Sequence, residues 1–183
     1  MKRTFIIILF LTFSFRITAQ SYNEYVNDTE INQFMIELLT SKEPYGSAFN
    51  KTNKKIYYKP IHIGQANWSI SEKSYEDFDF EIRFKRLFER SDLNKNDLSF
   101  MENQYRTIKE TEWKFEHRKL KLKKKYRKNY FKYSIPIFNK DKTLAVMWRY
   151  QYCGSLCAYS ELHIYELKDG KWKIKELIEG WVS

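Results

Sequence analysis

Tyr130-Phe-Lys-Tyr-Ser-Ile-Pro-Ile-Phe138, Asn139-Lys-Asp-Lys142 and Leu144-Ala-Val-Met-Trp-Arg-Tyr-Gln-Tyr152 together decide the fold of this chain. In the first run Phe131, Tyr133, Ile135 and Ile137 fall at every second position. In the last, Leu144, Val146, Trp148, Tyr150 and Tyr152 do the same, which is the period of a strand with one buried face. The polar residues between them have turn composition, so the two runs predict an antiparallel pair. Beyond a cysteine segment, residues 162–167, a Lys168-Asp169-Gly170 turn and residues 172–178 extend the pattern into an antiparallel meander.

Helical periodicity precedes it. Ile31, Phe34, Met35, Leu38 and Leu39 share one face of a helix capped by Asp28 or Thr29 and stopped by Pro44. Leu98, Met101, Tyr105 and Ile108 mark a second helix over residues 95–109, capped by Asn94 or Asn96. Residues 54–63 read as a strand and 64–74 as a loop. Residues 77–88 fit either a strand, with Phe78, Phe80, Ile82 and Phe84 on one side, or a helix, with Phe80, Phe84, Leu87 and Phe88 on one face. Helices first and strands later is the order of an α+β domain, here two helices covering one face of an antiparallel sheet.

The chain has 183 residues. Lys2 and Arg3, the apolar residues 5–15 and Ile17-Thr18-Ala19 have the layout of an export signal, which sets residues 1–19 apart from a single domain over 20–183. The apolar run is shorter than the roughly 20 residues that cross a bilayer, so no transmembrane segment is expected after cleavage. A periplasmic or secreted protein follows from this.

That compartment bears on Cys153 and Cys157, which it favours as a disulfide. Four residues of extended strand span about 13 Å at ~3.3 Å each, whereas bridged Cα atoms lie within about 7 Å. The chain must therefore turn at Gly154 and Ser155, and the bond would clamp the neck of a hairpin. A redox pair normally uses a one-residue-shorter spacing at a helix N-terminus. A zinc site would need two more ligands, with His163 the one nearby candidate.

The formal net charge is +10, and it is unevenly spread. Residues 118–128 hold eight basic side chains and no acid, so Lys121, Lys123, Lys124, Lys125, Arg127 and Lys128 form a candidate surface for an acidic protein or an envelope component. Leu120, Leu122 and Tyr126 keep a strand period within this run, which also fits the solvated face of a long hairpin arm. Lysine outnumbers arginine, and export disfavours nucleic acid as the partner. Trp68, in a polar loop, is the aromatic with no place on a core face and joins this candidate surface.

Chemistry-bearing motifs are sparse. Asp77, Asp79 and Glu81 would share a strand face but lack the glycine turn of a calcium loop. Glu110, Glu112 and Glu116 could pair as carboxylates. His62, His117 and His163 stand without ligand spacing, and no nucleophile elbow, phosphate loop or dinucleotide fingerprint occurs. No catalytic residue, metal or cofactor is assigned. The expected function is a non-enzymatic binding module; the alternatives are a small periplasmic enzyme with a pocket between helices and sheet, or an inhibitor or immunity protein. A carboxylate beside His117 or His163 in a deep pocket would favour the enzyme.

Ser134-Ile-Pro-Ile-Phe138, Tyr152-Cys-Gly-Ser-Leu-Cys157 and Gly170-Lys-Trp-Lys-Ile174 resemble the ending of a group of small exported bacterial proteins of unknown function. The run from Asp97 to Gln104 is similar to an Asp-rich helix with a glutamine in that group. Ala158 stands where the group has a second glycine. The resemblance covers half the mature chain and implies no activity. Helices followed by a curved meander also resemble the cone-shaped fold of nuclear transport factor 2-like domains, a likeness of fold alone.

Overall fold

A computed structural model describes residues 21–41, 55–61, 63, 93–109, 111–125, 129–154 and 157–182. Helix α1 spans Asp28–Thr40 and buries the five expected side chains Ile31, Phe34, Met35, Leu38 and Leu39. Its cap is Asn27, one residue before the expected positions, whose side chain accepts from the Glu30 backbone N–H at 2.9 Å. Asp28 is engaged elsewhere: it accepts from Ser21 and from the Tyr22 N–H and pairs with Lys114 at 2.5 Å. Helix α2 spans Lys95–Thr107. Asn94 and Asp97 form a reciprocal capping box at its start, satisfying donors that the first turn leaves without helical partners.

The strands are β1 (Lys55–Tyr57), β2 (Lys121–Lys123), β3 (Tyr130–Tyr133), β4 (Ile137–Phe138), β5 (Leu144–Gly154), β6 (Cys157–Lys168) and β7 (Lys171–Val182). They form one sheet in the order β2-β1-β3-β5-β6-β7, with β4 pairing β5. From β3 to β7 every pairing is antiparallel, as the alternation predicts. The expectation of a wholly antiparallel sheet is corrected at β1, which runs parallel to both β2 and β3. Among the described residues the basic run therefore forms no hairpin arm; Lys121–Lys123 is a short strand laid parallel to β1, with Leu122 on the buried side of Ile56.

The turns follow local chemistry. Asp169 (φ 53°) and Gly170 (φ 70°) both occupy the left-handed region, the two-residue turn whose twist suits adjoining strands, between the paired Lys168 and Lys171. Asn139 holds the β4–β5 turn by accepting from the Thr143 and Leu144 N–H groups at 2.9 and 2.8 Å.

Two apolar clusters lie on opposite sides of the sheet. Ala145, Met147 and Tyr165 belong to one, with Phe131, Tyr133 and α1; Leu144, Val146, Trp148, Leu162 and Ile164 belong to the other, with Met101 of α2. Successive strand residues point to opposite faces, so the division by odd and even positions on β5 is a division by face. Phe34 anchors α1, meeting Phe138, Tyr165 and Trp172 edge-on at centroid separations of 5.3, 5.6 and 4.9 Å. Burying such a ring is worth about 1.5–3 kcal/mol.

The two helices thus share the α1-side face only in part: Phe100 of α2 packs against the first cluster, while Met101 enters the second. Helix α2 runs along the free edge of β4, where Gln104 bonds the Phe138 backbone and Asp97 accepts from the Lys140 N–H at 3.1 Å. Covering an edge this way removes unpaired backbone groups from reach of other chains. Residues 1–20, Pro44, the 64–74 loop with Trp68, the 77–88 segment and Asp77, Asp79 and Glu81 lie outside the described residues, as do His62, Glu110, Tyr126, Arg127 and Lys128.

Candidate functional site

The sheet carries two polar assemblies, one on each face. The first lies at the β2-β1-β3-β5 end, on the face opposite α1. Register sets Lys55 beside Lys121 and Tyr57 beside Lys123, then Tyr130 opposite Tyr152 and Lys132 opposite Tyr150. Ile56, Phe131 and Tyr133 alternate with them into the α1-side core, which forces these side chains outward together.

Tyr57, Tyr130 and Tyr152 form a ladder across β1, β3 and β5. Ring centroids are 6.1 Å apart at the first step and 5.3 Å at the second, with tilts of 38° and 34°. Such cross-strand aromatic contacts stabilise a sheet and fix its register. Lys132 places its ammonium 4.9 Å from the Tyr57 centroid and 5.8 Å from that of Tyr150. Lys124 lies 5.3 Å from the Tyr58 ring. Partial burial lowers the Lys132 pKa and raises those of Tyr130 and Tyr150, in the tyrosines with help from neighbouring phenols.

Of the basic residues named from sequence, Lys121, Lys123, Lys124 and Lys125 are exposed. Lys124 approaches Glu112 at 3.8 Å, an exposed pair of little energetic weight. The structure adds Lys55, Lys132 and the tyrosine ladder. Pairing between distant strands assembles these, so no local spacing announced them; Tyr150 and Tyr152 at alternate positions were the one visible signal.

The second assembly lies on the α1 face. Tyr133, Arg149 and Glu161 stand in one row across β3, β5 and β6, and His163 follows two residues along β6. Arg149 pairs with Glu161, and the His163 Nε2 lies 3.6 Å from a Glu161 carboxylate oxygen. Arg149 and His163 are each 5 % exposed. Burial, aided by the Arg149 charge, pulls the His163 pKa down to about 3. Tyr133 and Tyr165 are pushed well above the usual phenol range by burial.

This places a carboxylate beside His163, one half of what the enzyme alternative requires, the other being a deep pocket. The imidazole, however, is far too weak a base for neutral pH, where an effective general base ionises near 7. His117 has its Nδ1 accepting from the Lys119 N–H at 3.2 Å, and Glu112 and Glu116 are exposed. Among the described residues no cluster of His, Cys, Asp or Glu could hold a metal ion, and no helix is long and apolar enough to cross a membrane.

Cys153 and Cys157 are joined by a disulfide with Cα atoms 5.1 Å apart. Gly154, with φ 152°, pairs with Cys157, and Tyr152 pairs with Ala158. The clamp therefore sits one residue beyond the end of the tyrosine ladder. Comparison with protein families, with characterised proteins and with solved structures gave no match.

Proposed function

We propose that this protein is an exported binding module that takes an acidic partner through the lysine-edged end of its sheet. The observation that carries the reading is the register of β1 against β2, which sets Lys55 directly beside Lys121 at the rim of the sheet. Like charges side by side on adjacent strands destabilise a sheet. A polyanion laid along this rim would meet both ammonium groups at once. Exposed Lys123, Lys124 and Lys125 continue the same positive rim, and the Lys132 ammonium lies behind it among tyrosines.

Lysines on an edge strand also discourage pairing with other chains. That role needs neither Lys55 nor Lys132, and it leaves the tyrosine ladder unexplained. The test is retention on immobilised polyglutamate and on cell-envelope fractions at low and high salt. Wild type should be retained at low salt and released by salt, and the Lys121→Glu/Lys123→Glu/Lys124→Glu variant should pass through. Equal retention of both would refute the proposal.

A further inference from the structure

The lysine rim says that the partner is acidic; the tyrosines beside it narrow its chemistry. Resting on the reading above, we propose that the ligand is an anionic polysaccharide, a chain whose units carry both hydroxyls and carboxylate or other oxyanion groups. The ladder of Tyr57, Tyr130 and Tyr152 crosses three strands in a continuous row, with Lys132 packed over its first ring. Tyr57, Tyr130 and Tyr152 are all half-buried, so part of each remains open to solvent.

The geometry weighs against other acidic polymers. Neighbouring tyrosines lean on one another within stacking distance, and Lys132 sits over Tyr57, so ring faces are shared inside the protein. A single-stranded nucleic acid needs such faces free for its bases. An acidic protein segment gains most from apolar anchors seated in pockets, and the ladder is a row of phenols with no aliphatic side chain among its three members.

What such a row offers is one phenol on each of three neighbouring strands, with ring centroids 6.1 and 5.3 Å apart. A phenol O–H both donates and accepts, which matches the hydroxyls and oxyanions of a sugar chain. Lysines of the rim then neutralise the oxyanions along the polymer, and the Cys153–Cys157 clamp fixes the strand end that carries Tyr152.

The test uses the full chain and three probes at equal charge concentration and ionic strength: polygalacturonate, polyglutamate and poly(dT), with affinity measured by calorimetry. Wild type should prefer polygalacturonate by about tenfold. Tyr57→Phe/Tyr152→Phe keeps both rings and removes two hydroxyls; it should lose that preference while keeping its polyglutamate affinity. Lys121→Glu/Lys123→Glu should lose both. Thermal melts of each variant establish that the fold persists. Equal affinity for the two polycarboxylates overturns the polysaccharide assignment and leaves the acidic-partner reading standing, and so does an unaltered preference in the phenylalanine variant. Tightest binding to poly(dT) overturns it in favour of a nucleic acid. Binding to none of the three removes the acidic-partner reading itself.

Discussion

The side-chain amide of Gln104 pairs with both backbone groups of Phe138, its Nε2 donating to the carbonyl at 2.6 Å and its Oε1 accepting from the N–H at 3.0 Å. One side chain thus imitates a neighbouring strand, and the imitation is fully buried. Gln104→Met should leave an N–H and a C=O of β4 without partners, at a cost of about 2–6 kcal/mol, since each orphaned buried group costs about 1–3 kcal/mol. Urea unfolding would show it as a lowered midpoint with little change of slope. Unchanged stability would mean that α2 does not depend on this contact to hold the β4 edge.

Arg149 and Glu161 form a buried ion pair whose side chains are 6 % and 17 % exposed. Removing one partner strands the other charge, so Glu161→Leu should destabilise by about 3–5 kcal/mol, whereas the double variant Arg149→Met/Glu161→Leu should cost less than either single change. A double-mutant cycle followed by urea unfolding measures this directly. Additive losses would show that the two charges are independently solvated and that the row from Tyr133 to Glu161 is no electrostatic unit.

The disulfide closes a very short loop, for which chain-entropy arithmetic gives about 2 kcal/mol. Cys153→Ser/Cys157→Ser should therefore lower stability by about that amount. Its effect on exchange should be local: amides near Tyr152 and Ala158, paired just inside the clamp, should lose more hydrogen-exchange protection than those of the Leu144–Glu166 pair at the far end. Mass spectrometry of the wild-type protein, kept from reductant, should find no free thiol.

What the sequence announced and what it hid divide along physical lines. The apolar face of α1 was legible because all five of its core residues sit on one chain segment at helical spacing. The face of α2 was only partly so: Met101 is buried as expected, but Asp97 and Gln104 are buried beside it, and their partners on residues 138 and 140 are far along the chain. For β5, alternate residues from Leu144 to Tyr152 suggested one buried face, yet Ala145 and Met147 are also apolar, and both faces are buried from Leu144 to Tyr150. That continuous run was a visible mark of a strand covered on both sides. Arg149, Glu161 and His163 occupied the positions that strict alternation assigns to water. Their burial follows from cross-strand register, as does the parallel placement of β1 between β2 and β3, and neither has a local signature.

His163 gives the pH dependence of the fold a definite sign. In the folded chain its imidazole, facing Arg149, Glu161 and the Tyr165 ring, stays uncharged down to about pH 3, whereas its ordinary value is 6.5. Below pH 6.5 the unfolded chain takes up a proton that the folded one refuses, so this contribution to stability is complete above 6.5, declines as pH falls and levels off near 3. Between pH 6.5 and 5 the loss should reach about 1–2 kcal/mol. His163→Gln removes the titrating group, so its stability curve should be flatter over that interval, and the gap between variant and wild type should change steadily with pH. Parallel curves from urea unfolding at pH 6.5, 6 and 5 would mean that His163 is protonated in the folded state, and that Glu161 then serves two cations, Arg149 and the imidazolium, at once.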